Sequence, residues 1–475
     1  MKRNRMKNVF ILTGGIIVAV TMSFVQETQA DQPAGGSDNS YAIVLVGPRI
    51  DGTTVLHAIN NLGWALTGGS TAWSRKTGPR LIQQPSEFGA AAIDINDHGT
   101  MAGDGFDTNG KSRIVRWDNG VPHVLPNVDG IFGGGGAIFG DINDLDQIAG
   151  TTILSDSMGI LGALWNPDGT TRVLRGLPKH IKATANGVGA TGINNNGYLC
   201  GLDTLENLLI GRNRAIKWDP DGTVHDLGSL DDRFFSIAND INDNGVVIGR
   251  GSDGGAPPAV IWKDGVIQQI SPLFIDAGAW RINNRDEVIG WTNNLVQERV
   301  FLWSEAKGFR YAEDILPPNS KWIFSVRENA VHFPAFTDIN DHGQIVGFAP
   351  REEFTSEKAF EMVPVEPELV LGVPVPGVAG KENSFTITGA LPGAKITFGY
   401  GFVGGGSFVP GCNELDAMTQ IEDYKIAGSA IADDTGTATL KIFVPQGIVD
   451  KGEILYQAVD LGHCQDSQLV VYTFQ

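Results

Sequence analysis

Seven times this chain sets an asparagine directly after an isoleucine, at Ile59-Asn60, Ile95-Asn96, Ile142-Asn143, Ile193-Asn194, Ile241-Asn242, Ile282-Asn283 and Ile339-Asn340. Each pair is followed by a polar turn ending near a glycine and then by an apolar pair. Further on comes one aromatic ring per unit: Trp73, Trp117, Trp165, Trp218, Trp262, Trp303 and Phe360. Recurrence at roughly 45 residues marks units that cannot bury their apolar faces alone and must stack on their neighbours. Function therefore has to be read from the array.

The fifth unit shows the internal pattern. Ser236-Ile237-Ala238-Asn239-Asp240-Ile241 runs into Asn242-Asp243-Asn244-Gly245, then Val246-Val247-Ile248-Gly249, Ala259-Val260-Ile261-Trp262, Lys263-Asp264-Gly265 and Val266-Ile267-Gln268. Short β-rich runs separated by Asn-Gly and Asp-Gly are hairpin signals, because Gly, Asn and Asp enter left-handed turn conformations at low cost. Four strands emerge per unit, and such units at this period predict a β-propeller. The seventh unit stops at Pro364 after three strands, while the run from Tyr41 to Val46 stands before the first Ile-Asn pair as fourth strands stand before the others. The predicted fold is all-β: a seven-bladed β-propeller over 41–363 closed by its N-terminal strand. The ring ending each third strand is explained by packing between blades.

This pattern resembles the extracellular repeats of the HAF family, in which A-x-x-I-N-x-x-G-x-x-V-G is followed by A-x-x-W and a G-x-x-x-x-L strand. Phe336-Thr337-Asp338-Ile339-Asn340-Asp341-His342-Gly343-Gln344-Ile345-Val346-Gly347 carries the match most closely, and the likeness extends over residues 41–363. Asp146 and Asp286 replace the turn glycine in the third and sixth units, leaving their turn geometry open. The resemblance implies secretion and a propeller-like fold, and it brings no catalytic residues.

Pro364, Pro367, Pro374 and Pro376 punctuate a stretch read as a linker over 364–380, and alternating runs over 381–475 predict a small β-sandwich. Cys412 and Cys464 share that segment. A disulfide between them would close a loop of about 52 residues and contribute about 4 kcal/mol on the chain-entropy estimate. Cys200 occupies an apolar strand position and reads as a buried, inert thiol.

Lys2, Arg3, Arg5 and Lys7, an apolar stretch from Val9 to Val25 and Thr28-Gln29-Ala30 spell a secretory signal over 1–30, with a retained anchor as the rival reading. Residues 31–40 read as a flexible segment. The whole chain carries a formal charge of −19, and the leader's excess of bases leaves the remainder more acidic still. Such a charge opposes nucleic acid and anionic lipid. The expectation is a secreted or cell-envelope monomer, with no nucleic-acid partner, no membrane contact after signal cleavage, and an extracellular protein or glycan as its partner.

Three motifs invite chemistry. Gly105-Phe106-Asp107-Thr108-Asn109-Gly110-Lys111-Ser112 spells a P-loop but stands where a hairpin turn is predicted, without the helix that phosphate binding needs. Gly399-Tyr400-Gly401-Phe402-Val403-Gly404 lacks a βαβ unit around it. Asp240-Ile241-Asn242-Asp243-Asn244-Gly245 begins like a calcium loop, but Gly251 stands where the bidentate glutamate belongs. Turn chemistry explains it and the related Asp94, Asp141 and Asp338, so no cofactor is expected, with calcium at these turns the alternative. No H-E-x-x-H or G-x-S-x-G occurs. The sequence thus predicts a non-catalytic binding protein. Its alternative is a carbohydrate-active or other hydrolytic enzyme that gathers dispersed carboxylates in the propeller channel.

Overall fold

The computed structural model of the protein describes residues 41–475 apart from 47–54, 68, 76, 127, 129–135, 154–159, 179–186, 206–211, 233, 295, 328–333, 355, 366–368 and 409–417. The predicted signal, the segment 31–40 and Cys412 lie outside the described residues. Among the described residues, the chain up to Pro364 forms seven four-stranded antiparallel sheets, and the fold is all-β of the β-propeller type. The leading strands are Ala58–Ile59, Ala90–Ile95, Gly136–Ile142, Val188–Ile193, Ser236–Ile241, Asp276–Ile282 and Ala335–Ile339, each ending in the isoleucine of an Ile-Asn pair. The sixth sheet gains a fifth strand, Ser325–Arg327, paired to Gln297–Ser304. Among the described residues no helix is long and apolar enough to cross a membrane.

The last glycine of the repeat has a steric cause. Six leading strands carry a β-bulge one residue before the position preceding Ile, as between Ala92 and Asp94 or Ala279 and Arg281. The bulge turns a carbonyl of the leading strand onto the second strand. A Cβ at Gly103, Gly150, Gly201, Gly249, Gly290 or Gly347 would lie 1.9–2.4 Å from that oxygen, so only glycine fits. The first sheet has Thr67 at this place, and its leading strand is two residues long with no bulge.

The Ile-Asn asparagines do more than shape turns. Each Oδ1 accepts the amide N–H of the residue four further on, fixing the turn locally. Each Nδ2 donates to the carbonyl of the next sheet's asparagine at 2.8–3.0 Å: Asn60 to Asn96, Asn96 to Asn143, Asn143 to Asn194, Asn194 to Asn242, Asn242 to Asn283, Asn283 to Asn340, and Asn340 back to Asn60. The hydrogen bonds form a cycle, with every member at most 5% exposed. Asp146 and Asp286 take the left-handed φ of the glycines they replace, 55° and 58°, and both accept from the preceding sheet's asparagine. That settles their turn geometry.

The aromatic rings pack as predicted. Trp117, Trp165, Trp218, Trp262 and Phe360 are buried, and Trp73 and Trp303 half-buried. Trp117, Trp165 and Trp218 also donate Nε1–H to the carbonyls of Gln83, Pro126 and Arg175, each on the segment leaving the preceding sheet. One side chain thus packs a sheet and fastens the one before it. The P-loop-like segment is the hairpin between Met101–Phe106 and Ser112–Asp118, and the other glycine motif spans the strands Lys395–Gly401 and Val403–Phe408.

The N-terminal strand Tyr41–Leu45 is the outermost strand of the seventh sheet, pairing Tyr41 with Pro364 and Leu45 with Phe360. Beside this closure Arg75 of the first sheet meets Glu361 of the seventh at 3.0 Å, with side chains 4% and 1% exposed. Gln344 supports the carboxylate from a second direction.

The C-terminal part packs two sheets over one apolar core. Phe385, Ile387 and Ala438 of one face Ile396, Phe398 and Tyr456 of the other. The proline-rich stretch is more than a linker: Val370–Leu371 pairs with Lys381–Thr388, and Leu369, Leu371 and Ala379 join the core, because apolar residues between the prolines have a sheet to bury against. The hairpin of Val403–Phe408 and Met418–Glu422 lies against Tyr41–Leu45, with Gln420 donating to the Tyr41 carbonyl at 3.3 Å. Arg351, 3% exposed, reaches Glu422 from the seventh sheet. The C-terminal part thereby covers an edge strand that would otherwise stay open to pairing. Cys200 is a free buried thiol whose ionisation burial and the nearby Asp240 suppress.

Removing Glu361 would leave a buried guanidinium uncompensated, so Glu361→Ala should cost about 3–5 kcal/mol in chemical denaturation. A loss below 1 kcal/mol would show that the pair does not hold the closure.

Candidate functional site

The Ile-Asn turns converge on an open polar depression of about 320 Å³ at the centre of the ring. Two tiers of side chains line it. The first comes from the position before five of the isoleucines, Asp94, Asp141, Asp240, Arg281 and Asp338, with Ala58 and Gly192 at the equivalent places of the first and fourth sheets. The second comes from the position after each asparagine: Asn61, Asp97, Asp144, Asn195, Asp243, Asn284 and Asp341.

In the first tier each aspartate caps the N–H of its own isoleucine at 2.7–2.9 Å. Three also reach the next sheet where that sheet has no carboxylate: Asp338 to Ile59, Asp141 to Ile193 and Asp240 to Ile282. Asp94 departs from this scheme because its successor, Asp141, is also an aspartate, so that two carboxyls stand side by side in the wall of the depression. Burial, then Asp94 and Asp240, push Asp141 well above the ordinary carboxylate range against the pull of Arg281. Asp240 is raised by burial, with Arg281 and the amides of Ile282 and Ile241 opposing. Burial and Asp94 bring Asp338 to about 8, despite Arg281 and the amides of Ile59 and Ile339. Burial works against the charge of Arg281, but Asp240, Asp141, Asp94 and Asp338 outweigh it and hold the guanidinium protonated.

The second tier is another closed cycle. The backbone N–H at each position donates to the side-chain oxygen of the next at 2.7–2.8 Å, from Asn61 to Asp97 and onward until Asp341 returns to Asn61. Each asparagine amide bridges the carboxylates on either side: Asn61 joins Asp97 and Asp341, Asn195 joins Asp144 and Asp243, and Asn284 joins Asp243 and Asp341. An odd ring cannot alternate donor and acceptor throughout. One like pair must remain, and it is Asp97 beside Asp144. Asp144 is raised by burial and by the Asp97 charge, with the Asp97 amide, Asn195 and His98 opposing. The like pair of the first tier, Asp94 and Asp141, sits at the same junction between the second and third sheets.

The aspartates weighed for calcium, Asp94, Asp141, Asp240 and Asp338, thus share one ring instead of serving separate turns. Among the described residues no group of three or more His, Cys, Asp or Glu side chains is placed to hold a metal ion. Sequence reading found these positions as turn formers. It held a channel of dispersed carboxylates as its alternative without identifying these four as its members, and it missed Arg281, although Arg281 at a position otherwise held by Asp, Ala or Gly was a visible departure from the repeat.

No protein-family model matches the chain, and no curated protein matches it in sequence. Solved structures do resemble it. A streptogramin B lyase structure is 12% identical with a TM-score of 0.41, covering 70% of this chain and 100% of its own. The β-propeller domain of the Trilobed protease from Pyrococcus furiosus is 9% identical with a TM-score of 0.38, covering 64% and 91%. A puromycin-hydrolyzing peptidase of Mycobacterium tuberculosis is 10% identical with a TM-score of 0.41, covering 76% of this chain and 62% of its own. The expectation of a non-catalytic protein is corrected here: the similar structures include a lyase and a peptidase. Missing motifs exclude no chemistry in such a fold, because a ring assembles its polar groups from separate repeats, which no local motif records.

Two outcomes test this geometry. A carboxyl raised in the folded state binds its proton more tightly there than in the unfolded chain, so its contribution is complete below the unfolded value and fades as pH climbs through the folded one. With Asp338 at about 8 against an ordinary 3.8, thermal stability should fall between about pH 4 and pH 8. Asp141→Asn, isosteric with the protonated acid, should make that slope shallower, and a stability that rises over this interval would contradict the assignment. Separately, Asn194→Asp keeps the turn acceptor but loses the donor to the Asn242 carbonyl, and should cost on the order of 3 kcal/mol in urea unfolding.

Proposed function

We propose that the protein is a hydrolase whose reaction centre is the Asp94–Asp141 pair at the channel mouth. The observation that carries this is that two carboxyls from adjacent sheets stand side by side, half-buried, in the wall of the polar depression. Neighbouring carboxylates oppose each other's ionisation, so one of the pair keeps its proton, which provides an acid and a base in one place at neutral pH. The unprotonated member draws a proton from water as the water attacks the substrate's carbonyl carbon. The protonated member then gives its proton to the departing group. Arg281 is the tier's one cation and supplies positive charge for an oxyanion.

Ester or amide hydrolysis of a small polar substrate suits a carboxyl pair with a guanidinium in the same tier. The reading takes the ring as a seven-bladed propeller closed by Tyr41–Leu45, with a β-sandwich behind it. The cyclic hydrogen bonds and the shared C-terminal core support that architecture. It also takes the chain as an exported HAF-repeat protein with a Cys412–Cys464 bridge, supported by the leader composition and the Ile-Asn recurrence.

A panel of fluorogenic esters and amides should yield turnover that Asp94→Asn and Asp141→Asn each lower by a factor of about 10² or more, in line with the loss of a general acid or base. Full activity in both folded variants, or no turnover on any ester or amide, would refute the proposal.

A further inference from the structure

Between the sixth and seventh sheets lies a cavity of about 350 Å³, within the size range of small-molecule sites, lined by Trp280 and Trp291 and floored by Phe336. Neither tryptophan belongs to the aromatic repeat. Trp280 is the bulge residue of its leading strand; at this place the second and third sheets have Ile93 and Gly140, while the fourth, fifth and seventh have polar residues that fasten one sheet to the next. Thr191 donates to the Ala238 carbonyl at 3.0 Å, Asn239 to Ala279 at 2.6 Å and Thr337 to Leu56 at 2.8 Å. Trp280 makes no such bond among the described residues and leaves its indole 44% exposed. The ring gains no fastening from tryptophan here.

Trp291 lies across the strand pair from Gly278. A Cβ on that glycine would come within 2.8 Å of the indole Nε1, so the missing side chain is what seats the ring. Asn293 and Glu298 add an amide and a carboxylate to the wall, joined at 3.5 Å.

The charges around the cavity select the ligand. The guanidinium of Arg250 stands 4.9 Å from the Trp291 ring and that of Arg281 5.6 Å from Trp280. A cationic ligand would meet two cations already against the aromatic faces. The wall holds charges of both signs, Glu298 and Arg299, and Arg299 is already paired with Glu313 at 3.2 Å, so Glu298 disfavours an anion. What remains suited to flat indole faces beside mixed donors and acceptors is a neutral ring with apolar C–H faces and hydroxyls at its edge. From this geometry we propose that the cavity binds a pyranose sugar, stacked on Trp280 and hydrogen-bonded by Asn293 and Glu298. This site is separate from the Asp94–Asp141 pair, and binding there does not depend on hydrolysis.

The test is direct titration of the full chain with methyl β-D-glucopyranoside, N-acetylglucosamine, cellotriose and chitotriose, followed by tryptophan fluorescence and calorimetry. At least one should bind saturably with a millimolar or tighter Kd. Trp280→Thr restores the residue type that the fourth and seventh sheets carry, so it should fold with equal or higher thermal stability while weakening binding at least tenfold. Trp291→Phe keeps an aromatic face without the N–H and should weaken it less. Three outcomes would overturn the proposal: no saturable binding of any of the four sugars, undiminished binding in Trp280→Thr, or a marked stability loss in that variant, which would make Trp280 a structural residue.

Discussion

The side-chain amide of one asparagine per repeat, donated sideways to the next repeat's backbone, is the interaction on which the rest of the structure depends. The same residue holds its own turn through Oδ1 and its neighbour through Nδ2, so local and long-range order share one side chain. A glutamine would reach too far and an aspartate would offer no donor. Because the last bond runs from Asn340 to Asn60, the array has no first or last member at its centre, although the chain has two ends. Closure at the periphery is a separate device, in which Tyr41–Leu45 pairs into the seventh sheet and the C-terminal hairpin covers its outer edge.

The chemistry of the site follows from arithmetic. The second tier runs from Asp97 through Asn61, Asp341, Asn284, Asp243 and Asn195 to Asp144, alternating acceptor and donor, and its two ends meet as like charges. An even ring could have satisfied every carboxylate with an amide. The odd ring leaves one unbridged place, and the first tier sets its own like pair at the same junction. The acid–base pair proposed above falls at the junction that structural hydrogen bonding leaves incomplete. Arg281, with Asp240 and Asp338 around it, balances part of the remaining negative charge.

Much of the fold was legible in the sequence because it is written in local chemistry: Asn-Gly and Asp-Gly turns, strand-length apolar runs, and a missing fourth strand supplied by Tyr41. The aromatic repeat likewise told its own packing. What the sequence concealed depends on angular position around a ring. Asp94 and Asp141 are 47 residues apart and look like two copies of a turn former. Only closure makes them neighbours, while Asp240 and Asp338 face Arg281. Trp280 and Trp291 were hidden for a related reason: Trp280 stands where Thr191, Asn239 and Thr337 bond to the next sheet, and Trp291 is seated only by the absent side chain of Gly278 across the strand pair.

A closed ring and an open stack differ most in how their ends behave. In an open array the terminal units lack a neighbour on one side and open before the interior ones. Hydrogen–deuterium exchange followed by mass spectrometry, comparing the first and seventh sheets with the third to fifth, measures this directly. The Asn60-to-Asn340 cycle predicts that the leading strands at Ile59 and Ile339 are as slow to exchange as those at Ile193 and Ile241, and that all are lost in one cooperative step. Progressive fraying inward from the first and seventh sheets, with the central ones still protected, would contradict it.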